Sequence, residues 1–98
     1  VSGDFYWIEQ KHNCLFIAVV DCTGHGVPGA FLSIIGNSGL NRAVNELELT
    51  NPAEILVVLN EIVQKTLGQG DIQINDGMDI ALCVLHPDKK TLEFAVWR

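Results

Sequence analysis

Asp21 stands where an apolar run gives way to a glycine-rich turn, in the string Asp21-Cys22-Thr23-Gly24-His25-Gly26-Val27-Pro28-Gly29-Ala30. A carboxylate at the end of a buried strand, just ahead of a turn into a helix, is a common way to present a polar group at a sheet edge. Glycines permit the sharp turn and let the backbone approach a ligand closely. Pro28 suits a first helical turn, where its missing N–H costs nothing. The alternative is an ordinary strand–loop–helix connection with Asp21 in solvent, and residue types alone leave both readings open.

A second carboxylate enters through register. Residues 5–9 and 14–20 read as strands, and Lys11, His12 and Asn13 between them are polar and turn-forming. With His12 and Asn13 as the two central turn residues, Lys11 faces Cys14 and Asp4 falls opposite Asp21. Directly opposed side chains have Cβ atoms about 4.5–5.5 Å apart. Like charges at that spacing destabilise the pair unless something positive lies between them. The competing reading leaves Asp4 in water at the strand end.

The chain has 98 residues and a net charge of −6, with mean hydropathy +0.25 and a pI near 4.7. These values predict one packed unit rather than a disordered segment. They argue against nucleic acid or an anionic membrane as the main partner and permit cations. No apolar run approaches the about 20 residues of a membrane-spanning helix. No leader is expected, and the opening Val1-Ser2-Gly3-Asp4 predicts an excised piece of a longer chain. Cys14, Cys22 and Cys83 make an odd count and read as reduced, buried thiols of a cytoplasmic protein. Their spacing with His12 and His25 matches no zinc site.

The elements that must position the carboxylates follow from periodicity. Residues 27–45 read as a helix with Phe31, Ile34, Ile35, Leu40, Ala43 and Val44 on its apolar face. Gly36, Ser38 and Gly39 are the small residues along it, suited to close packing. A second helix begins at Asn51 as N-cap, with Pro52 and Glu54 in capping positions, and ends at Gly68. Its stripe is Ile55, Val58, Leu59, Ile62, Val63 and Leu67. Residues 68–77 form a polar loop whose glycine spacing does not fit a calcium site. Residues 80–85 and 91–97 form a second hairpin around a turn at 86–90. Hairpin, two helices, hairpin predicts an α+β fold with both helices on one face of an antiparallel sheet.

The strings Ser2-Gly3-Asp4-Phe5-Tyr6, Asp21 to Ala30, and Asp76-Gly77-Met78-Asp79-Ile80-Ala81-Leu82-Cys83 together resemble the SpoIIE-type branch of the PPM/PP2C-like serine/threonine protein phosphatases. The resemblance implies the N-terminal part of such a domain, here residues 1–98, and a partial PP2C-like β-sandwich. It implies hydrolysis of phosphoserine or phosphothreonine on a regulatory phosphoprotein of the anti-sigma-antagonist kind, with two Mn²⁺ or Mg²⁺ ions in the complete domain. Such ions lower the pKa of a shared water and offset charge on the phosphoryl oxygens. Asp21 would bridge them, Asp4 would be a further ligand, and the backbone carbonyl of Cys22 would help hold one. Asp79 would face the site. His25 would shape the loop or meet substrate, with general acid as the alternative role.

The family's remaining metal-binding aspartates fall beyond the fourth strand, and Val96-Trp97-Arg98 replaces its usual Gly-Ala-Asn-like turn. This piece is therefore expected to bind metal poorly or not at all and to be weakly active or inactive alone. The resemblance further implies an attached sensor domain acting through the two helices, in the cytoplasm or as the cytoplasmic part of a membrane-bound sensor. A second reading is a non-catalytic signalling module that binds a partner or dimerises through an exposed sheet edge.

Overall fold

The computed structural model describes residues 4–22, 29–67 and 78–97, with backbone alone at 29, 30 and 67. Strands β1 (Phe5–Lys11) and β2 (Cys14–Cys22) are followed by helix α1 (Gly29–Asn41), a π-helical turn (Arg42–Glu46), helix α2 (Pro52–Leu67), and strands β3 (Met78–His86) and β4 (Thr91–Trp97). The four strands form one sheet in the order β1-β2-β3-β4. Every neighbouring pair is antiparallel. The α+β expectation, with helices on one sheet face, holds.

The β1–β2 turn sets the register of the first hairpin. His12 and Asn13 have φ of 56° and 59°, the positive pair of a two-residue type I′ connection. Lys11 then pairs with Cys14 and Phe5 with Val20. Along β2 burial alternates, with Cys14, Phe16, Ala18, Val20 and Cys22 buried toward the helices. β3 matches it with Met78, Ile80, Leu82 and Val84. Trp7 and Phe16 pack with ring centroids 6.4 Å apart, and the buried Trp7 indole donates to Asn41 Oδ1 at 3.0 Å. Lys11 Nζ donates to the Asn45 carbonyl at 2.9 Å, a second tie between β1 and the end of the first helical segment.

The apolar face of α1 differs from the expected one. Leu32, Ile35, Leu40, Ala43 and Val44 are buried, whereas Phe31 and Ile34 are 48% and 66% exposed. The glycines decide which stripe turns inward. A Cβ at Gly36 would lie 3.1 Å from Met78 Sδ, and one at Gly39 would lie 2.5 Å from Leu59 Cδ1. Only the stripe carrying Gly36 and Gly39 lets α1 approach both the sheet and α2 so closely. The last expected turns of α1 open into the π-helical turn, where Leu47 N–H donates to the Arg42 carbonyl at 2.9 Å.

The start of α2 is as expected. Asn51 Oδ1 accepts from the Glu54 N–H at 3.1 Å, satisfying a donor that the first turn leaves unpaired. Asn51→Ala should cost about 1 kcal/mol, read as a lowered thermal midpoint. Leu56 joins Ile55, Leu59 and Val63 in the core, and Val58 is partly buried against it. Cys14 and Cys22 are buried free thiols, while Cys83 is half-buried on the opposite sheet face. No helix among the described residues is long and apolar enough to cross a membrane.

Candidate functional site

One corner of the sheet gathers acid. Asp21 lies within β2 rather than beyond it, because the strand continues to Cys22. It pairs directly with Asp79 of β3. Asp4 immediately precedes β1, whose ladder to β2 runs Phe5 to Val20, so the next rung carries Asp4 and Asp21. By strand alternation all three side chains belong to the face turned away from the helices, and all three residues are exposed.

The contacts agree with that placement. Asp4 Oδ1 accepts from the Cys22 N–H at 3.2 Å. A side-chain hydrogen bond with Asp4, then the charge of Asp4, slight desolvation by neighbouring residues and the charge of Asp79, hold the exposed Asp21 carboxyl above its ordinary value. Two carboxyl groups sharing a hydrogen bond favour retention of a proton, and each added negative charge favours it further. The Cys22 thiol faces the core, where burial first, then Asp4 and Asp21, push it up to about 11. What Cys22 can offer the corner is therefore backbone.

The sign of the Asp21 shift gives a stability prediction. A carboxyl raised in the folded chain contributes stability below its ordinary value of 3.8, and that contribution is lost as pH rises through the raised folded value. In EDTA at neutral pH, Asp21→Asn should therefore melt higher than the parent chain. The gap should close as the pH falls below 3.8. A variant that melts lower at neutral pH would contradict the repulsion.

Among the described residues no group of three or more His, Cys, Asp or Glu side chains is arranged to enclose a metal ion. The corner fits a more open mode. Mg²⁺-type ions are commonly held by one or two carboxylates, keep several waters and take further oxygens from substrate phosphates. Asp4 and Asp21 supply that kind of hard, anionic donor pair. His25 and the rest of residues 23–28 lie outside the described residues, as does the loop at 68–77.

Beyond the acidic row the same face is apolar. A groove of about 520 Å³ is lined by Val19, Asp21, Asp79, Ile80, Ala81, Phe94 and Val96. Tyr6 is 79% exposed on β1, and Ile8, Leu92 and Phe94 are at least 60% exposed. Sequence reasoning assigned Asp79 to the site but not to Asp21 as a direct partner. The β2–β3 register spans both helices and residues 68–77, so no local turn announces it.

The four-stranded antiparallel sheet with two helices on one face matches part of a PP2C-like fold. The chain matches the family described as Stage II sporulation protein E (SpoIIE) over residues 11–97 and belongs to it. Among solved structures it is similar to the SiaA-PP2C domain of Pseudomonas aeruginosa, at 30% identity and a TM-score of 0.81. That likeness covers 98% of this chain and 37% of the other, so this chain spans little more than a third of that relative. No curated protein matches the chain.

Proposed function

We propose that the chain is the N-terminal part of a metal-dependent serine/threonine protein phosphatase domain acting on a regulatory phosphoprotein in bacterial signalling. The observation that carries this reading is the acidic corner of Asp4, Asp21 and Asp79, in a chain of the SpoIIE family. Asp21 would contact both Mn²⁺ or Mg²⁺ ions, with Asp4 and the Cys22 carbonyl as further ligands. Bound there, the ions would supply an activated water and positive charge toward the phosphoryl oxygens. Asp4 accepts the Cys22 N–H and so fixes the end of the hairpin against Asp21. Asp79 flanks Asp21 from β3 and adds negative potential that favours a cation over a lone proton. His25 would act from the adjoining turn, on loop shape or substrate.

The remaining ligands would come from further residues of the parent domain, so this stretch alone would be weakly active or inactive. An attached sensor domain and a cytoplasmic setting complete the proposal. It is tested by assaying a longer chain and this one on a phosphoserine protein with Mn²⁺. Activity in the longer chain that EDTA removes supports the reading. Metal-independent activity, or none in any longer chain, overturns it.

The exposed apolar face favours a second reading, a module that pairs with a partner or with itself. Tyr6, Ile8, Val19, Leu92, Phe94 and Val96 are all at least 48% exposed there. In the proposed complete domain a second sheet would cover this face. Light scattering separates the two. A monomer that is inactive alone but active when extended favours the phosphatase, and a stable dimer with no phosphatase activity in the longer chain favours the module.

A further inference from the structure

The end of the sheet far from the acidic corner carries a different cluster. Cys14 opens β2 immediately after the exposed His12-Asn13 turn. Its Sγ lies 3.3 Å from His86 Nδ1 at the end of β3. His86 Nε2 lies 2.5 Å from Glu93 Oε1 on β4. Register brings the three together, since Cys14 follows the turn into β2, Leu15 pairs with Leu85, and His86 pairs with Thr91, two residues before Glu93.

The hydrogen-bond directions follow from donor inventory. An ionised carboxylate only accepts, so the Nε2–H of His86 donates to Glu93. In that tautomer Nδ1 carries a lone pair, and it faces the Cys14 thiol. The His12 carbonyl, 3.4 Å from the same sulfur, is the alternative acceptor for its single proton. Nucleophile, base and orienting carboxylate thus stand in line, the order that activates a thiol wherever it recurs. Glu93 is the sequence signal for this cluster, because it places a charge on the helix-facing side of β4.

We propose that Cys14 is a peroxide-sensitive thiol, activated by His86 and positioned through Glu93. The sulfur gives its proton to His86 Nδ1 and attacks one oxygen of hydrogen peroxide. The S–O bond forms as the O–O bond breaks. The departing hydroxide takes the proton from His86 and leaves as water. Cys14 is oxidised to the sulfenic acid while peroxide is reduced. Cys14 is 5% exposed, so the reagent proposed is one of about water's size. The His86 and Glu93 side chains, 17% and 43% exposed, mark the open side.

The test exposes the folded 98-residue chain to hydrogen peroxide for timed intervals, removes the peroxide, unfolds the chain in denaturant containing dimedone so that every sulfenic acid is trapped, and maps the three cysteines by mass spectrometry. Cys14 should be oxidised about tenfold faster than Cys83, although Cys83 is the more open thiol. His86→Asn should slow Cys14 by about tenfold or more, with Cys83 unchanged. Glu93→Gln, at a half-exposed position that folding tolerates, should slow it in the same sense. Simple loosening of the cluster would instead speed oxidation of a buried sulfur. Oxidation of Cys83 first, or a Cys14 rate that is unchanged or raised in Glu93→Gln, overturns the proposal.

Discussion

Asp21→Asn, made in a chain long enough to be active, is expected to lower kcat/KM on a phosphoserine protein by about 10³-fold or more. Asparagine preserves the volume and the β2 pairing with Asp79, so the sheet should persist. What disappears is one formal charge, at the position flanked by Asp4 and Asp79. A cation held by one or two carboxylates loses much of its affinity when one becomes an amide, and substrate phosphate loses the positive charge it meets. The same substitution should raise the melting temperature of the metal-free chain. Opposite signs on activity and stability are the mark of a site built for a ligand rather than for the fold. Steady-state kinetics at saturating Mn²⁺, paired with melts in EDTA, reads both. Activity within tenfold of the parent would remove Asp21 from the mechanism.

Phe16→Ala is expected to be the most damaging single change to the fold. Phe16 is fully buried, stacks at a tilt of 56° on Trp7, and sits in β2 between Glu9 of β1 and Val84 of β3. Removing such a ring typically costs 3–5 kcal/mol, transfer and cavity together. A domain of this size holds only about 5–15 kcal/mol. The thermal midpoint should fall by about 12 °C or more. Leu92→Ala, on the exposed face, should shift it far less, because that side chain is 60% exposed already. Comparable losses at both positions would mean that the outer face is covered in solution.

The parts of the fold written locally were legible in the sequence. A two-residue turn at His12-Asn13 dictates which residues of the first hairpin face one another, and so carries Asp4 to Asp21. Asn51 and Pro52 announce the start of α2 through capping chemistry that needs no tertiary partner. The second hairpin is legible for the same reason, from its turn and alternation.

The parts written by packing were not legible. Phe31 and Ile34 read as core because periodicity counts apolar residues without weighing how closely a helix can approach. Gly36 and Gly39 decide that, and their neighbours Met78 and Leu59 are distant in the chain. The π-helical turn replaces the end of α1 where Trp7 and Lys11 donate hydrogen bonds to the Asn41 side chain and the Asn45 carbonyl. The Asp21–Asp79 pairing and the Cys14–His86–Glu93 cluster both depend on the register of β2 and β3, two strands that both helices and residues 68–77 separate in the chain.

The account turns on a divalent cation seated at the acidic corner, and trace Mn²⁺ added to the ¹⁵N-labelled 98-residue chain tests it even if binding is weak, because paramagnetic broadening detects sparse occupancy. The amides of Asp4, Asp21, Cys22 and Asp79 should vanish first, those of Cys14 and His86 at the opposite end should persist, and Asp21→Asn should abolish the pattern. Broadening spread evenly over the surface, or centred elsewhere and untouched by Asp21→Asn, would contradict the account.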